Sequence, residues 1–177
     1  MIKKRWPIVA AGALVLIGSY VFRTYPRHVV VILHGIQYQL GTDKGVKPVT
    51  LTLNGTREQP LFGAETFDGI VDISGASNRD CGNGHFIKVV FEPMFGGLLA
   101  YWGSAAQPYY DYGAIFPNAS FTEFTVTEWQ QDNGGSGWSG GNGLVISAPA
   151  KTRAQALIIS NDLMAAWSAL RPGHPLR

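Results

Sequence analysis

A chain of 177 residues with net charge +2, 15% charged side chains and one cysteine has neither the clustered basic face that nucleic acid requires nor thiols for an internal disulfide framework. Lys3, Lys4 and Arg5 carry most of the positive surplus, so the rest of the chain is near neutral. The 22 glycines and 12% aromatic content favour many short strands joined by glycine turns over a helical bundle.

The first element is an uncharged, mostly apolar run over residues 6–22, directly behind Lys3-Lys4-Arg5. Its length lies at the low end of the roughly 17–25 residues that cross a hydrocarbon core. Trp6, Tyr20 and Tyr25 fall where amphipathic rings settle among headgroups, and Lys4, Arg5 and Arg23 can snorkel. The pattern predicts a transmembrane anchor over residues 6–25 behind a cytoplasmic tail at 1–5, with membrane lipid as its partner. A cleaved signal peptide shares the basic start and apolar centre, and a buried core helix is a third reading. Residues 17–22 offer no clean small-x-small cleavage site, which favours retention. The basic flank puts the N-terminus inside the cell and residues 26–171 outside it, followed by a short tail at 172–177. That leaves one domain, large enough to bury a core without metals.

Val29-Val30-Val31-Ile32-Leu33 is a β-branched block, and Ile36-Gln37-Tyr38-Gln39-Leu40 alternates with the two-residue period of a half-buried strand. A turn at Gly41-Thr42-Asp43-Lys44-Gly45 precedes Val49-Thr50-Leu51-Thr52-Leu53, which alternates again and meets the turn signal Asn54-Gly55. Residues 67–73 read as a strand with Asp68 and Asp72 on one face. After a polar loop over 77–84, Ile87, Val89 and Phe91 oppose Lys88 and Glu92. Gly96-Gly97 opens an apolar strand reaching Trp102, residues 121–129 set Phe124 and Val126 against threonines, and a glycine tract over 134–143 precedes Leu144-Val145-Ile146-Ser147. Successive strands without helices between them pair antiparallel. Thr152 and Gln155 fit a capping box that starts a helix carrying Leu157, Ile158, Ile159, Leu163, Met164, Trp167 and Leu170, and Pro172-Gly173 ends it. The expected fold is mainly β with one C-terminal α-helix: an antiparallel sheet or sandwich covered by the helix and preceded by the transmembrane helix.

Several patterns imitate chemistry. Gly137-Trp138-Ser139-Gly140-Gly141 matches the letters of Gly-x-Ser-x-Gly, with His34-Gly35 as an oxyanion-type turn. That motif needs a strand before it and a helix after it in a parallel α/β sheet, and a glycine tract between antiparallel strands supplies neither. Asp80, Cys81 and His85 carry zinc-type donors, yet a structural zinc takes four ligands, and His28, His34 and His174 are distant in sequence. Turn stabilisation by Asp80 and Asn83 explains that loop as well. Cys81 reads either as a small buried apolar residue or as half of an intermolecular disulfide. Asp68 and Asp72 lie about 13 Å apart at the usual strand rise, too far for a glycosidase pair. The glycine tract lacks the Lys-Ser/Thr of a phosphate loop, and the sequons at Asn54 and Asn118 matter only in a eukaryotic secretory pathway. No catalytic, cofactor-binding or metal-binding residue is expected.

Tyr101, Trp102, Tyr109, Tyr110, Tyr112 and Phe116 form an aromatic stretch with Asp111 as its only charge. Such rings stack on sugars or dock a protein when exposed, and fill a core when buried. Tyr101, Trp102, Tyr109, Tyr110 and Tyr112 are therefore the candidate contact surface.

Val49-Thr50-Leu51-Thr52-Leu53-Asn54-Gly55, with Pro60-Leu61-Phe62-Gly63 and Phe67-Asp68-Gly69-Ile70-Val71-Asp72-Ile73, resembles small proteins of Bacillus- and Paenibacillus-type bacteria that begin with one membrane segment. Gly143-Leu144-Val145-Ile146-Ser147-Ala148-Pro149-Ala150, with Arg153-Ala154-Gln155-Ala156 and Asn161-Asp162-Leu163-Met164, is similar to the C-terminal part of the same group. The resemblance covers under half of the chain and implies a Gram-positive cell-surface setting, without an activity or a site to transfer. The expectation is a membrane-anchored accessory or binding module facing an envelope protein or glycan. A cell-envelope hydrolase or transferase is the alternative.

Overall fold

The computed structural model describes residues 11–12, 14, 18, 20–21, 24–43, 45–76, 84–101, 110–132, 135–170 and 176–177. Strands β1 (Arg27–Gln39), β2 (Lys47–Glu58), β3 (Glu65–Ser74), β4 (Phe86–Glu92), β5 (Gly96–Tyr101), β6 (Tyr110–Pro117), β7 (Phe124–Glu128), β8 (Gln130–Asp132), β9 (Gly135–Gly137) and β10 (Leu144–Ala148) precede helices α1 (Arg153–Leu163) and α2 (Ala165–Ala169). Each barrel strand pairs antiparallel with its neighbours in the order β1-β10-β7-β6-β5-β4-β3-β2, and the ring closes. Strands β8 and β9 form a separate hairpin between β7 and β10. Closure rests on a short pairing of the two ends of the domain, from Ile36 against Ser147 to Gln39 against Leu144. Followed through the partner registers, one circuit returns to β1 about a dozen residues from its start, the stagger of strongly tilted strands.

The structure corrects the expected architecture in two respects. The strands form neither a single sheet nor a sandwich but a closed eight-stranded up-and-down barrel, with α1 packed on its outside. Alternation along a strand reports which side is buried but not which distant strand completes the ring. In addition, no helix among the described residues is long and apolar enough to cross a membrane. Most of the run at 6–22 lies outside the described residues.

Asn54-Gly55 is not a turn. Strand β2 continues through it to Glu58, and Gly55 faces Gly69 in the register. A Cβ at Gly55 would lie 2.7 Å from the Gly69 Cα and 2.8 Å from the Phe67 ring, so the glycine pair admits the Phe67 ring beside the strands.

Strand parity sorts the side chains into two apolar groups. Leu51, Leu53, Phe67, Val71, Ile87, Val89, Leu99, Ile115, Phe124, Val126 and Ile146 fill the barrel. Ile36, Tyr38, Leu40, Phe116 and Val145 face outward and are covered by Ala156, Met164 and neighbouring residues of the helical segment. The strict alternation at 36–40 thus points its apolar side away from the barrel lumen, toward the helix.

Between helix and barrel lies a buried hydroxyl cluster. Tyr38 Oη and Ser147 Oγ each stand 2.7 Å from Ser160 Oγ, and Thr125 Oγ1 donates to Ser160 at 3.4 Å. Burial pushes the Tyr38 phenol above its usual value, while its bonds to Ser160 and Ser147 and the nearby Arg153 charge act the other way. The helix start keeps half of the expected box: Thr152 Oγ1 accepts from the Gln155 N–H at 3.3 Å, while Gln155 Oε1 reaches one residue further back and accepts from the Lys151 N–H at 3.0 Å. The sequence predicts one helix that ends at Pro172-Gly173. It is divided at Met164, whose φ of −99° and ψ of 16° depart from helical values.

Candidate functional site

A groove runs along the outside of the barrel, and it exists because small residues occupy its floor. Gly96 at the start of β5 and Ala114 on β6 leave the outer face of those strands low. Gly96 also has φ 68°, and a Cβ there would lie 2.6 Å from the Ile115 carbonyl oxygen, so the position is closed to larger residues. Thr127 adds little polarity to the floor. Its hydroxyl is turned into the strand pair, accepting from the Ala114 N–H at 3.2 Å and lying 3.4 Å from the Ala114 carbonyl.

The walls are mostly apolar. Val90 and Leu98 rise from the outer face of β4 and β5, and Phe95 stands in the turn between these strands. Opposite them are Trp129, Trp138 and Trp167, contributed by three separate parts of the chain. The Trp138 and Trp167 rings meet edge to face with centroids 5.2 Å apart, and Trp138 Nε1 donates to the Leu144 carbonyl at 2.9 Å. The space enclosed is about 510 Å³. A second hollow of about 550 Å³ continues past Glu92, Gly96 and Phe116 toward Leu163.

The Gly-x-Ser-x-Gly look-alike builds part of this wall. Gly137 lines the groove, and Trp138 supplies one of its rings. Ser139 Oγ accepts from the Gly141 N–H at 3.2 Å, and its carbonyl accepts from Gly143 N–H at 2.8 Å, so the serine closes a turn. A Cβ at Gly140 would come within 2.9 Å of the Trp167 ring, and one at Gly143 would collide with Trp138. His34 bonds instead to Thr50 Oγ1 at 3.2 Å, on the β1–β2 pair.

Of the candidate contact surface, the structure describes Tyr101, Tyr110 and Tyr112, and Tyr110 is half-buried. Tyr101 and Tyr112 are 1% and 4% exposed and belong to the barrel core. Tyr101 Oη donates to the Val71 carbonyl at 2.9 Å, and its ring stacks on Tyr110 at 5.4 Å. Trp102 and Tyr109 lie outside the described residues, as do Asp80 and Cys81. His85 is exposed. Among the described residues no group of three or more His, Cys, Asp or Glu is arranged to hold a metal. Asp68 and Asp72 share the outer face of β3, where Asp68 sits opposite Lys88.

Sequence reasoning missed a buried polar contact inside the barrel. Glu128 continues the inward phase of Phe124 and Val126, and Gln37 Nε2 donates to its Oε2 from β1. Both residues are fully enclosed. Counting by twos from Phe124 would have found the carboxylate.

Comparison with known protein families, with curated proteins and with solved structures finds no match in any of the three. Fold and groove are therefore read from this molecule alone: a filled up-and-down barrel whose described ligand-sized space lies outside the lumen.

Proposed function

We propose that the protein is an accessory binding module, held at the outer face of a membrane by its basic-then-apolar N-terminus, which takes an envelope ligand in the groove. The observation that carries this reading is the convergence of Trp129, Trp138 and Trp167 over a floor of Gly96 and Ala114, in a space of about 510 Å³. Small-molecule sites are concave, apolar and of this size, with few polar groups to orient the ligand. Rings already buried in a core stabilise the fold; rings that border open space are available to a partner. Tethering supports the role, because confinement to a surface raises the effective concentration toward neighbours without any added contact.

The test is an indole-resolved NMR titration of the full chain with soluble envelope fragments. Binding in the groove shifts the indole signals of Trp129, Trp138 and Trp167 together. Shifts confined to other parts of the barrel, or none with any fragment class, would remove the support for this reading.

A further inference from the structure

Building on the groove as the binding site, we infer that its ligand is a small organic cation: an ammonium ion carrying alkyl substituents. Four ring systems with exposed surface border the space, those of Phe95, Trp129, Trp138 and Trp167, beside the buried ring of Phe116. The only formal charge among the described lining residues is the carboxylate of Glu92. Glu92 lies on the outer face of β4, is exposed, and borders both hollows, which places it along the length of the groove. Aromatic faces carry negative potential and attract cations, tryptophan most strongly. A carboxylate at the rim adds an attraction of the same sign and repels anions.

Each class of competitor meets an obstacle in the lining. An anion finds no described cationic side chain. A neutral polyol needs several converging donors and acceptors, whereas of the two lining hydroxyls Thr127 turns its own into the β6–β7 pair, leaving that of Ser136. A bare, strongly hydrated metal ion would lose its water against apolar walls without enough oxygen ligands to replace it. An alkylated ammonium ion offers what this lining accepts: methyl or methylene groups against the indoles, and a diffuse charge that is weakly hydrated.

The experiment uses the full chain in maltoside micelles, which carry no ammonium headgroup, with tryptophan emission as the readout. The probes are choline and 3,3-dimethylbutan-1-ol, a neutral molecule of nearly the same shape. Choline is expected to change the emission saturably and to bind about tenfold more tightly than the alcohol, the scale of a cation–aromatic contact reinforced by one carboxylate. Glu92→Gln should bring the two affinities together. Gly137→Leu should abolish both responses by filling the groove, because a Cβ at Gly137 meets nothing within 4 Å and its φ is not in the left-handed region. Ala114→Leu fills the groove from its floor and serves if Gly137→Leu does not fold. Equal binding of choline and the alcohol overturns the cation inference while leaving the groove as a site. A choline response that survives both filling variants overturns the groove itself, and no choline response overturns the inference outright.

Discussion

The inside of the barrel and the groove on its outside are both rich in aromatic rings, yet the rings do opposite work. In the lumen, Phe121 meets Phe124 edge to face at 5.4 Å and Phe91 at 5.6 Å, and the Arg57 guanidinium lies 4.3 Å from its centroid. That ring is 2% exposed. In the groove, Phe95 is 60% exposed and the indoles border open volume. An eight-stranded barrel has an interior just wide enough to be filled by side chains or to hold one small ligand. Here the packed aromatic core takes up that interior, and the open space bordered by the three tryptophans lies on the outer face, where β5 and β6 carry small residues.

The sharpest break of this comparison is in the lumen. Phe121 adopts φ 58°, a left-handed conformation unfavourable for a bulky residue, held by the turn in which Asn118 Oδ1 accepts from Thr122 N–H at 2.9 Å. Phe121→Ala keeps the strained backbone and removes the ring contacts that hold it. We expect a loss of about 3–5 kcal/mol in denaturant unfolding. A loss below about 1 kcal/mol would mean that the ring is not a keystone of the core.

The helix-covered face comes next. Ser160→Ala removes the hydroxyl shared by Tyr38, Ser147 and Thr125 and strands buried hydroxyls. The expected cost is about 1–3 kcal/mol. An unchanged midpoint would show that these hydroxyls find other partners or water.

A pH titration separates the same face from the lumen. Tyr38 has a folded-state value above the ordinary 10.0, raised first by burial. At high pH the folded state therefore holds a proton that the unfolded state has released. Its contribution is fully present below pH 10.0 and is lost as the pH climbs from there through the folded value. Melting temperatures of the wild type and of Tyr38→Phe, followed from pH 8 to 11, should converge as the pH rises. Parallel curves would remove Tyr38 as the cause.

Much of the barrel was legible in the sequence. Alternation located β2, β3, β4 and β7, and Thr152 with Gln155 marked the helix start, because these signals are local. What failed was non-local. Closure depends on Ile36–Gln39 meeting Leu144–Ser147, a pairing that neither segment announces. Asn54-Gly55 misled because a glycine serving close strand approach is written with the same letters as one serving a turn. The groove was illegible for a related reason. Trp138 sits in a glycine tract and Trp167 on a helix stripe, and only the folded chain brings them within 5.2 Å. Tyr101 and Tyr112 looked like a surface because their stretch is almost free of charge, but strand parity turns them inward.

The smallest expected effect is the most discriminating between the two regions. Val90 and Leu98 are both apolar and both line the groove, yet each keeps 43% of its surface exposed. If the outer face serves recognition, their methyl groups contribute little to folding. The double variant Val90→Thr with Leu98→Thr should keep the unfolding free energy within about 0.5 kcal/mol, as surface changes do. The same variant should weaken binding of a neutral apolar dye, because the wall opposite the tryptophans becomes polar. Threonine retains strand propensity, so a change in backbone preference does not obscure the readout. A loss above about 2 kcal/mol would place these residues in a packed interior, and the distinction between a stabilising lumen and a receptive exterior would fail there.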